Sequence, residues 1–193
     1  MASSDDLLTI IDAAGDSRLD DVSLRVGGTP SKYMTVLGNR IFIHHPLTNS
    51  VSVFTTSGNK ILKNFPVGKS PQSSVLVGKT LYVINRDSHD VTVINTDTYE
   101  TIATIPVGTS PMTGLLVDKK IYINNTASNN ISVIDTESNT SKTDIPVGKN
   151  PVALILQNKI LFVINREDDT VSVIDTKTGK VVDTFQTGKN PLS

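Results

Sequence analysis

The pattern of apolar and polar residues along the chain repeats about every 40 positions. Short apolar runs recur at one phase of this period, and a second set recurs about ten residues later. The first set comprises residues 41–43, 81–83, 121–123 and 161–163, and the second comprises residues 51–54, 91–94, 131–134 and 171–174. These runs are rich in β-branched and aromatic residues and are bounded by Gly, Asn, Asp and Pro, which is typical of strands. The chain shows no sustained 3.6-residue apolar period, so the pattern predicts no helix.

A short turn motif marks the same period. The pentapeptide Val-Gly-x-x-Pro begins at Val67, Val107 and Val147, which are 40 residues apart. A related pentapeptide begins at Val26, 41 residues before Val67, and another begins at Thr187. A fixed period of this size indicates a repeat architecture, in which each repeat forms one unit and buries its apolar faces against its neighbours.

Each repeat supplies four predicted strands. An inner strand follows the proline, as at residues 74–77 and 153–156, and a tight turn built on Gly78, Asp118 or Asn158 leads into the second strand. Gly, Asp and Asn suit this turn because they tolerate a positive φ. The third strand is the Val-Ser-Val-Ile run, and the fourth ends in Ile-Pro-Val-Gly. Four antiparallel strands in about 40 residues is the size of a β-propeller blade.

The apolar character of the second and third strands favours a ring of blades. These strands are apolar on both faces, so their sheet must be covered on both sides by neighbouring sheets. The predicted fold is therefore all-β, a β-propeller of four-stranded antiparallel blades in a single unit of residues 1–193. It comprises an N-terminal half-blade and four full repeats, at residues 7–29, 30–70, 71–110, 111–150 and 151–190.

Three segments carry a family resemblance. Residues 81–85 (Leu-Tyr-Val-Ile-Asn), 145–148 (Ile-Pro-Val-Gly) and 171–180 (Val-Ser-Val-Ile-Asp-Thr-Lys-Thr-Gly-Lys) resemble the YVTN-type β-propeller repeat of surface-layer proteins. The resemblance covers residues 7–191 and implies a seven-bladed propeller with an extracytoplasmic or surface location. It says less about activity, because the family includes binding proteins and similar propellers include lactonases and streptogramin lyases.

The blade count leaves the closure of the ring open. The half-blade supplies only a third and a fourth strand, and Ser193 stands where another first strand would begin. The alternatives are a fragment of a seven-bladed ring, which would need about 280 residues at this period, a small ring with an unusual half-blade, or closure through a partner copy. An unclosed arc exposes apolar surface, so we expect a protein partner or self-association through the terminal strands and exposed blade edges.

Composition excludes several classes of function. The chain of 193 residues is 37% hydrophobic and has a net charge of -1, which suits one globular unit. The absence of cysteine excludes thiolate catalysis, iron–sulfur clusters and zinc knuckles. Scattered Lys and Arg argue against a nucleic-acid surface. No run of 18 apolar residues exists, and Asp5 and Asp6 stand where a secretory signal carries positive charge, so we expect neither membrane insertion nor a standard signal.

The loops that join the second and third strands are the expected place for a ligand. With the Val-Gly-x-x-Pro loops they surround the channel on one face of a propeller. The candidate ligand-binding residues are His45, Asn85, Arg86, Asn125, Asn165 and Arg166. The three asparagines recur at one phase, where His45 stands in the first repeat. A residue repeated in every blade also suits a structural role, an Asx turn that bonds nearby backbone, and we favour that interpretation.

Charged neighbours limit what these loops can bind. Arg86 and Arg166 stand beside Asp87 and Glu167, so local salt bridges compete with anion binding. The acidic run that begins at Glu167 lacks the alternating spacing of a calcium loop. Asp and Asn residues at the ends of the third strands, such as Asp135, are typical turn formers. The sequence therefore predicts no metal site and no cofactor.

The histidines do not form a recognisable catalytic set. His44 and His45 are adjacent in a strand, so their side chains point to opposite faces and cannot hold one metal together. No Gly-x-Ser-x-Gly elbow exists. We therefore predict a non-enzymatic binding or assembly module, such as a structural component of a cell or particle surface. The alternative is a lactonase-like or lyase-like enzyme, which requires histidines and carboxylates to converge at the channel mouth.

Overall fold

The computed structural model describes residues 7–12, 17–23 and 34–192, which form strands and turns without a helix. The strands are β1 (Leu7–Asp12), β2 (Ser17–Ser23), β3 (Met34–Leu37), β4 (Arg40–His45), β5 (Ser50–Thr55), β6 (Lys60–Pro66), β7 (Pro71–Val77), β8 (Thr80–Asn85), β9 (Asp90–Asn95), β10 (Thr101–Pro106), β11 (Pro111–Val117), β12 (Lys120–Asn125), β13 (Asn130–Asp135), β14 (Thr140–Pro146), β15 (Pro151–Gln157), β16 (Ile160–Asn165), β17 (Thr170–Asp175) and β18 (Lys180–Gln186). Within these ranges, nothing has the length and apolar character of a bilayer-spanning helix.

The strands pair as four-stranded antiparallel sheets in chain order. The first sheet contains β3 to β6, the second β7 to β10, the third β11 to β14 and the fourth β15 to β18. Strands β1 and β2 form a two-stranded antiparallel sheet. Four strands per repeat, as the sequence predicts, are thus confirmed. The first pentapeptide, at residues 26–30, lies outside the described residues.

In the second and fourth sheets the inner strand is longer than the sequence indicated. In the second sheet it begins at Pro71, which lies opposite Asn85, and in the fourth it begins at Pro151, opposite Asn165. Proline is tolerated there because the first position of an edge strand does not need to donate a ladder hydrogen bond. The repeated proline therefore opens the strand, where the sequence placed it in the preceding loop.

The turns form as the residue types predict. Gly78, Asp118 and Asn158 have φ angles of 58°, 53° and 49°, so each adopts the left-handed conformation at the first hairpin turn. At the end of the third strands, Asp135 Oδ1 accepts a hydrogen bond of 3.0 Å from the N–H of Glu137. Asn95 and Asp175 act in the same way, while the side chain of the corresponding Asp12 lies outside the described residues.

Successive sheets pack face to face, and this packing forms the core. We call the side of a sheet that meets the next sheet in the chain its forward face, and the opposite side its backward face. Tyr82, Val91 and Ile105 on the forward face of the second sheet pack against Ile121 and Ile134 on the backward face of the third. The same arrangement joins the first sheet to the second and the third to the fourth. The expectation of sheets covered on both faces is confirmed at these three interfaces.

The sheets are arranged like the blades of a propeller. The inner strands β3, β7, β11 and β15 contact one another in succession, as do the outer strands β10, β14 and β18. Because each sheet twists, sheets that meet along their inner strands fan outward from a common side. The result is a propeller-like all-β fold in which loops from consecutive sheets lie together at one end.

Candidate functional site

Two sets of loops meet at the end of the sheets where the sequence predicts a ligand site. We call residues 67–71, 107–111, 147–151 and 187–191 the linker loops, and residues 45–50, 85–90, 125–130 and 165–170 the 2–3 loops. The N–H groups of Arg86 and Asp87 donate to the carbonyl oxygens of Ser70 and Lys69 at 3.0 and 3.1 Å. Equivalent pairs recur in the third and fourth sheets. Each of the first three linker loops is therefore fixed to the 2–3 loop of the sheet that follows it.

The three repeated asparagines are fully buried inside this junction. Asn125 Nδ2 donates to Asn130 Oδ1 at 2.8 Å and to Ser132 Oγ at 2.9 Å. Asn85 and Asn165 make the same two kinds of bond, to side chains five and seven residues further along the chain. These bonds go to side chains of the third strand, not to backbone as in the Asx turn that we expected. They tie the second strand to the third.

A glycine of the linker loop lies directly on each asparagine. A Cβ atom added to Gly108 would stand 2.5 Å from Asn125 Nδ2, and one added to Gly148 would stand 2.7 Å from Asn165 Nδ2. Gly68 approaches Asn85 equally closely. Real Cβ atoms do not come this near to other heavy atoms, so a glycine is needed here for close approach. The asparagines are thus enclosed between the linker loop and the third strand.

The histidines lie apart and bond mostly to serines and backbone. His44 Nε2 is 2.9 Å from Ser74 Oγ of the next sheet, whereas His45 Nε2 is 3.0 Å from Ser52 Oγ of its own sheet. Both rings are buried and leave the strand in different directions, as predicted. His89 Nδ1 lies 3.2 Å from the N–H of Ser110, in a linker loop. Each contact supports a strand or a loop.

The two arginines are the exposed members of the candidate set. Arg86 lies 4.0 Å from Asp87, the limit of an ion pair, which contributes little at an exposed position. Arg166 forms no ion pair among the described residues, because Glu167 Oε1 instead accepts a hydrogen bond from Asn150 Nδ2 at 3.0 Å. The predicted local salt bridge therefore forms weakly in one repeat and not in the other.

The acidic run of the fourth sheet is occupied with loop contacts. Asp168 Oδ2 accepts from the N–H of Lys149 at 2.7 Å, and Asp169 Oδ1 accepts from the N–H of Asn190 at 2.7 Å. Across the part of the chain that the structure describes, no three His, Asp or Glu side chains are close enough to hold a metal ion. These carboxylates fix the linker loops on either side of the fourth sheet.

A charged cleft of about 450 Å³ lies at the opposite end of the third and fourth sheets. Tyr122 forms part of its wall and donates a hydrogen bond of 3.1 Å to the carbonyl oxygen of Thr176 in the next sheet. Burial raises the pKa of Tyr122, and the nearby carboxylates of Asp118 and Asp175 raise it further. Four lysines and three carboxylates line the cleft, so its charges nearly balance and favour neither an anionic nor a cationic ligand.

Two shallower clefts lie at equivalent positions in different repeats. One, of about 470 Å³, contains Gly148, Ser172 and Val181; the other, of about 340 Å³, contains the equivalent Gly68, Thr92 and Thr101. Since the same positions form both, these clefts belong to the repeat unit. They do not single out one sheet as a binding site.

The forward face of the fourth sheet is an uncovered apolar surface. Phe185 is 45% exposed, whereas the equivalent Phe65, Ile105 and Ile145 are 6%, 3% and 3% exposed, because each of those packs against a following sheet. The same face includes Ile155, Phe162 and Val173, all more exposed than their counterparts in the third sheet, Leu115, Tyr122 and Val133. We call Ile155, Phe162, Val173 and Phe185 the open face.

The exposure of Val182 has a different origin. Val182 is 58% exposed at the bulge of β18, and the equivalent Leu62 and Ile102 are 43% and 51% exposed although sheets follow theirs. An apolar residue at this bulge is thus exposed in any repeat. The open face differs, because its residues are exposed where no described sheet lies against them. Sequence reasoning expected exposed blade edges but did not name Phe185, whose position in the repeat was the available signal.

Comparisons with known proteins agree with the fold. Hydrazine synthase from Kuenenia stuttgartiensis superposes with a TM-score of 0.75 at 25% identity, covering 84% of this chain and 50% of that one. A protein of unknown function from Desulfotomaculum acetoxidans superposes with a TM-score of 0.79 at 11% identity, covering 96% and 64%. The chain thus spans half to about two thirds of these structures. No family model and no curated protein matches it. The similarity supports a propeller-like fold.

Proposed function

We propose that the chain is a non-enzymatic assembly module of the YVTN-type propeller class, whose fourth blade packs against a blade of another protein chain. The observation that carries this proposal is the open face. Phe185 occupies a position that three other repeats bury almost completely against the next blade. Fully burying a side chain of this size stabilises a protein by about 1.5–3 kcal/mol, so a half-exposed cluster of four is a substantial drive for association.

The form of the open face indicates the type of partner. Its residues match the forward faces that cover neighbouring blades within this chain, such as Tyr122, Val133 and Ile145 of the third sheet. A surface of this shape fits the backward face of another blade. On the second strand, that face presents a Leu or Ile at one position and a Val or Ile two residues later. We therefore propose a partner built from the same repeat, on a cell or particle surface as the resemblance implies.

The contacts of the candidate ligand residues support a non-enzymatic role. The buried amides bond within their own blade, and the acidic side chains at the same end hold the linker loops. Arg86 and Arg166 remain the exposed candidates for ligand contact on this end. An assembly role needs no convergence of histidines and carboxylates, whereas the enzymatic alternative does.

The test compares Phe185→Asp with Val182→Asp, two variants that add the same charge at neighbouring exposed positions. We expect the wild-type chain to bind an apolar fluorescent dye and to gain mass with concentration in sedimentation velocity. Phe185→Asp should reduce both signals, and Val182→Asp should reduce neither. Equal dye binding and equal mass in the wild type and Phe185→Asp would overturn the proposal. Circular dichroism checks that both variants keep the β structure.

A further inference from the structure

We infer that the linker loop at residues 187–191 is a preformed receptor for an asparagine side chain of the partner's blade. The inference rests on the proposed function and specifies the chemistry of the partner. Within the chain, each linker loop that is followed by a blade receives an asparagine from it. The last linker loop keeps the Gly-x-x-Pro sequence, but no described side chain lies against its glycine.

The glycine shows the difference most directly. A Cβ atom added to Gly68, Gly108 or Gly148 would stand between 2.4 and 2.8 Å from the nearest side-chain atoms of the following blade, but one added to Gly188 has no atom within 4 Å. None of these four glycines has a positive φ. Glycine is therefore required at the first three positions by the close approach of another side chain, whereas no described side chain approaches Gly188.

In the linker loops that lie between two blades, backbone N–H groups donate to side chains of the following blade. These acceptors are what a partner would supply to the last linker loop. The N–H of Gly108 donates to Ser132 Oγ at 3.1 Å, and the N–H of Thr109 donates to Ser128 Oγ at 2.9 Å. In the loop before the fourth blade, the N–H of Lys149 donates to Asp168 Oδ2. No such bond of Gly188 or Lys189 forms among the described residues, so these donors are available to a partner.

The last linker loop is already held in the shape of the internal ones. The N–H of Thr187 donates to Asp169 O at 2.8 Å, and the N–H of Asn190 donates to Asp169 Oδ1 at 2.7 Å. In the preceding loop, the N–H groups of Val147 and Asn150 make the same pair of bonds to Asn129. The half of the junction that this chain contributes is thus complete before any partner binds, which reduces the ordering cost of docking.

The receptor and the open face together define a partner pattern. The partner blade carries an asparagine as the last residue of its second strand, a hydroxyl or carboxyl side chain three residues later, and a hydroxyl side chain seven residues after the asparagine. Within this chain that pattern is met by Asn85, Ser88 and Thr92, by Asn125, Ser128 and Ser132, and by Asn165, Asp168 and Ser172. A blade with the apolar face alone would cover Phe185 but would leave the donors of the last linker loop unpaired.

The experiment supplies a blade of this pattern by extending the chain. A second copy of residues 111–150 follows Asn190, so that its first proline takes the place of Pro191. The added copy carries Ile145→Asp, because its own forward face would otherwise expose a new set of apolar side chains. We expect dye binding of this extended chain to fall to the level of Phe185→Asp in the original chain, because the added blade covers the open face. Circular dichroism per residue should remain that of the original chain.

Gly188→Ala then tests the receptor itself. In the original chain it should leave the melting temperature unchanged, since the added Cβ meets no atom. In the extended chain it should restore dye binding to that of the unextended protein. Gly148→Ala is the matched control, because its Cβ would stand 2.7 Å from Asn165 Cγ and should lower the melting temperature of both chains.

The outcomes separate the two proposals. If the extension reduces dye binding and Gly188→Ala has no effect on that reduction, the receptor inference is wrong and the assembly role stands. If the extension leaves dye binding unchanged, or its added blade does not fold, the open face does not accept a blade of this repeat and both proposals fail.

Discussion

Replacing Asn125 with alanine tests whether the repeated asparagines serve the blade or a ligand. The side chain is fully buried and donates two hydrogen bonds, of 2.8 and 2.9 Å, to Asn130 and Ser132. A buried hydrogen bond of this kind contributes about 0.5–1.5 kcal/mol to the free energy of unfolding. If the asparagine serves the blade, the variant should unfold more easily and should keep any ligand binding.

The local contacts indicate that the loss in the free energy of unfolding lies in the lower part of the range expected for two such hydrogen bonds. After the substitution, Asn130 Oδ1 still accepts from Ser128 and Ser132 Oγ still bonds to Gly108 and Asp144, so neither partner is left without a bond. Asn125 Oδ1 accepts no hydrogen bond in the described structure, and its removal offsets part of the loss. We expect a decrease of about 1–2 kcal/mol, which corresponds to a melting temperature lower by about 2–8 °C in a chain of this size.

Thermal and denaturant unfolding measure this loss of stability. Two further variants serve as a control and a comparison. Gln157→Ala removes an exposed amide and should leave the melting temperature unchanged. Asn125→Asp keeps the shape but puts a buried carboxylate 2.8 Å from Asn130 Oδ1, so at neutral pH it should destabilise more than alanine. An Asn125→Ala variant with full stability and lost ligand binding would refute the structural interpretation.

Three other substitutions test separate contacts. Tyr122→Phe removes the hydrogen bond to Thr176 that joins the third and fourth blades, and urea unfolding should show a loss of about 0.5–1.5 kcal/mol. Lys142 holds the pKa of Asp135 well below its ordinary value. The ionised Asp135 therefore stabilises the fold at neutral pH, and this stabilisation is lost as the pH falls below about 5. Asp135→Asn should make the free energy of unfolding less sensitive to acid. A melting curve of Asp135→Asn that follows the wild type from pH 7 to pH 3 would contradict this. Gly148→Ala should lower the melting temperature while leaving the open face unchanged, so unaltered dye binding per folded molecule is its internal check.

Much of the fold could be predicted because each repeat is locally consistent. The alternation of β-branched runs with Gly, Asn and Asp at fixed positions fixes strands and turns through short-range sterics, as at Gly78 and Asn158. The burial of the second and third strands followed from their apolar character on both faces. The half-blade at residues 7–29 was predicted to supply two strands, and β1 and β2 pair antiparallel within that range.

The candidate site was harder to predict because its contacts join distant residues. For the repeated asparagines an Asx turn was expected, but the actual partners are side chains of the next strand, enclosed by a glycine from the loop before. The salt bridge expected at Arg166 depended on Glu167, which the linker loop instead engages through Asn150. Sequence neighbours do not reveal which loop lies above a side chain.

The sequence by itself determined the repeat, the strands and the turns, because these depend on residues only a few positions apart. Only the tertiary structure decided which of the repeated positions are covered by a neighbouring sheet or loop. Phe65 and Phe185 stand at the same phase of the repeat, as do Gly148 and Gly188, yet one of each pair is enclosed and the other is open. The physical reason is that burial depends on whether a neighbouring sheet lies against the residue. The residue type alone cannot predict this.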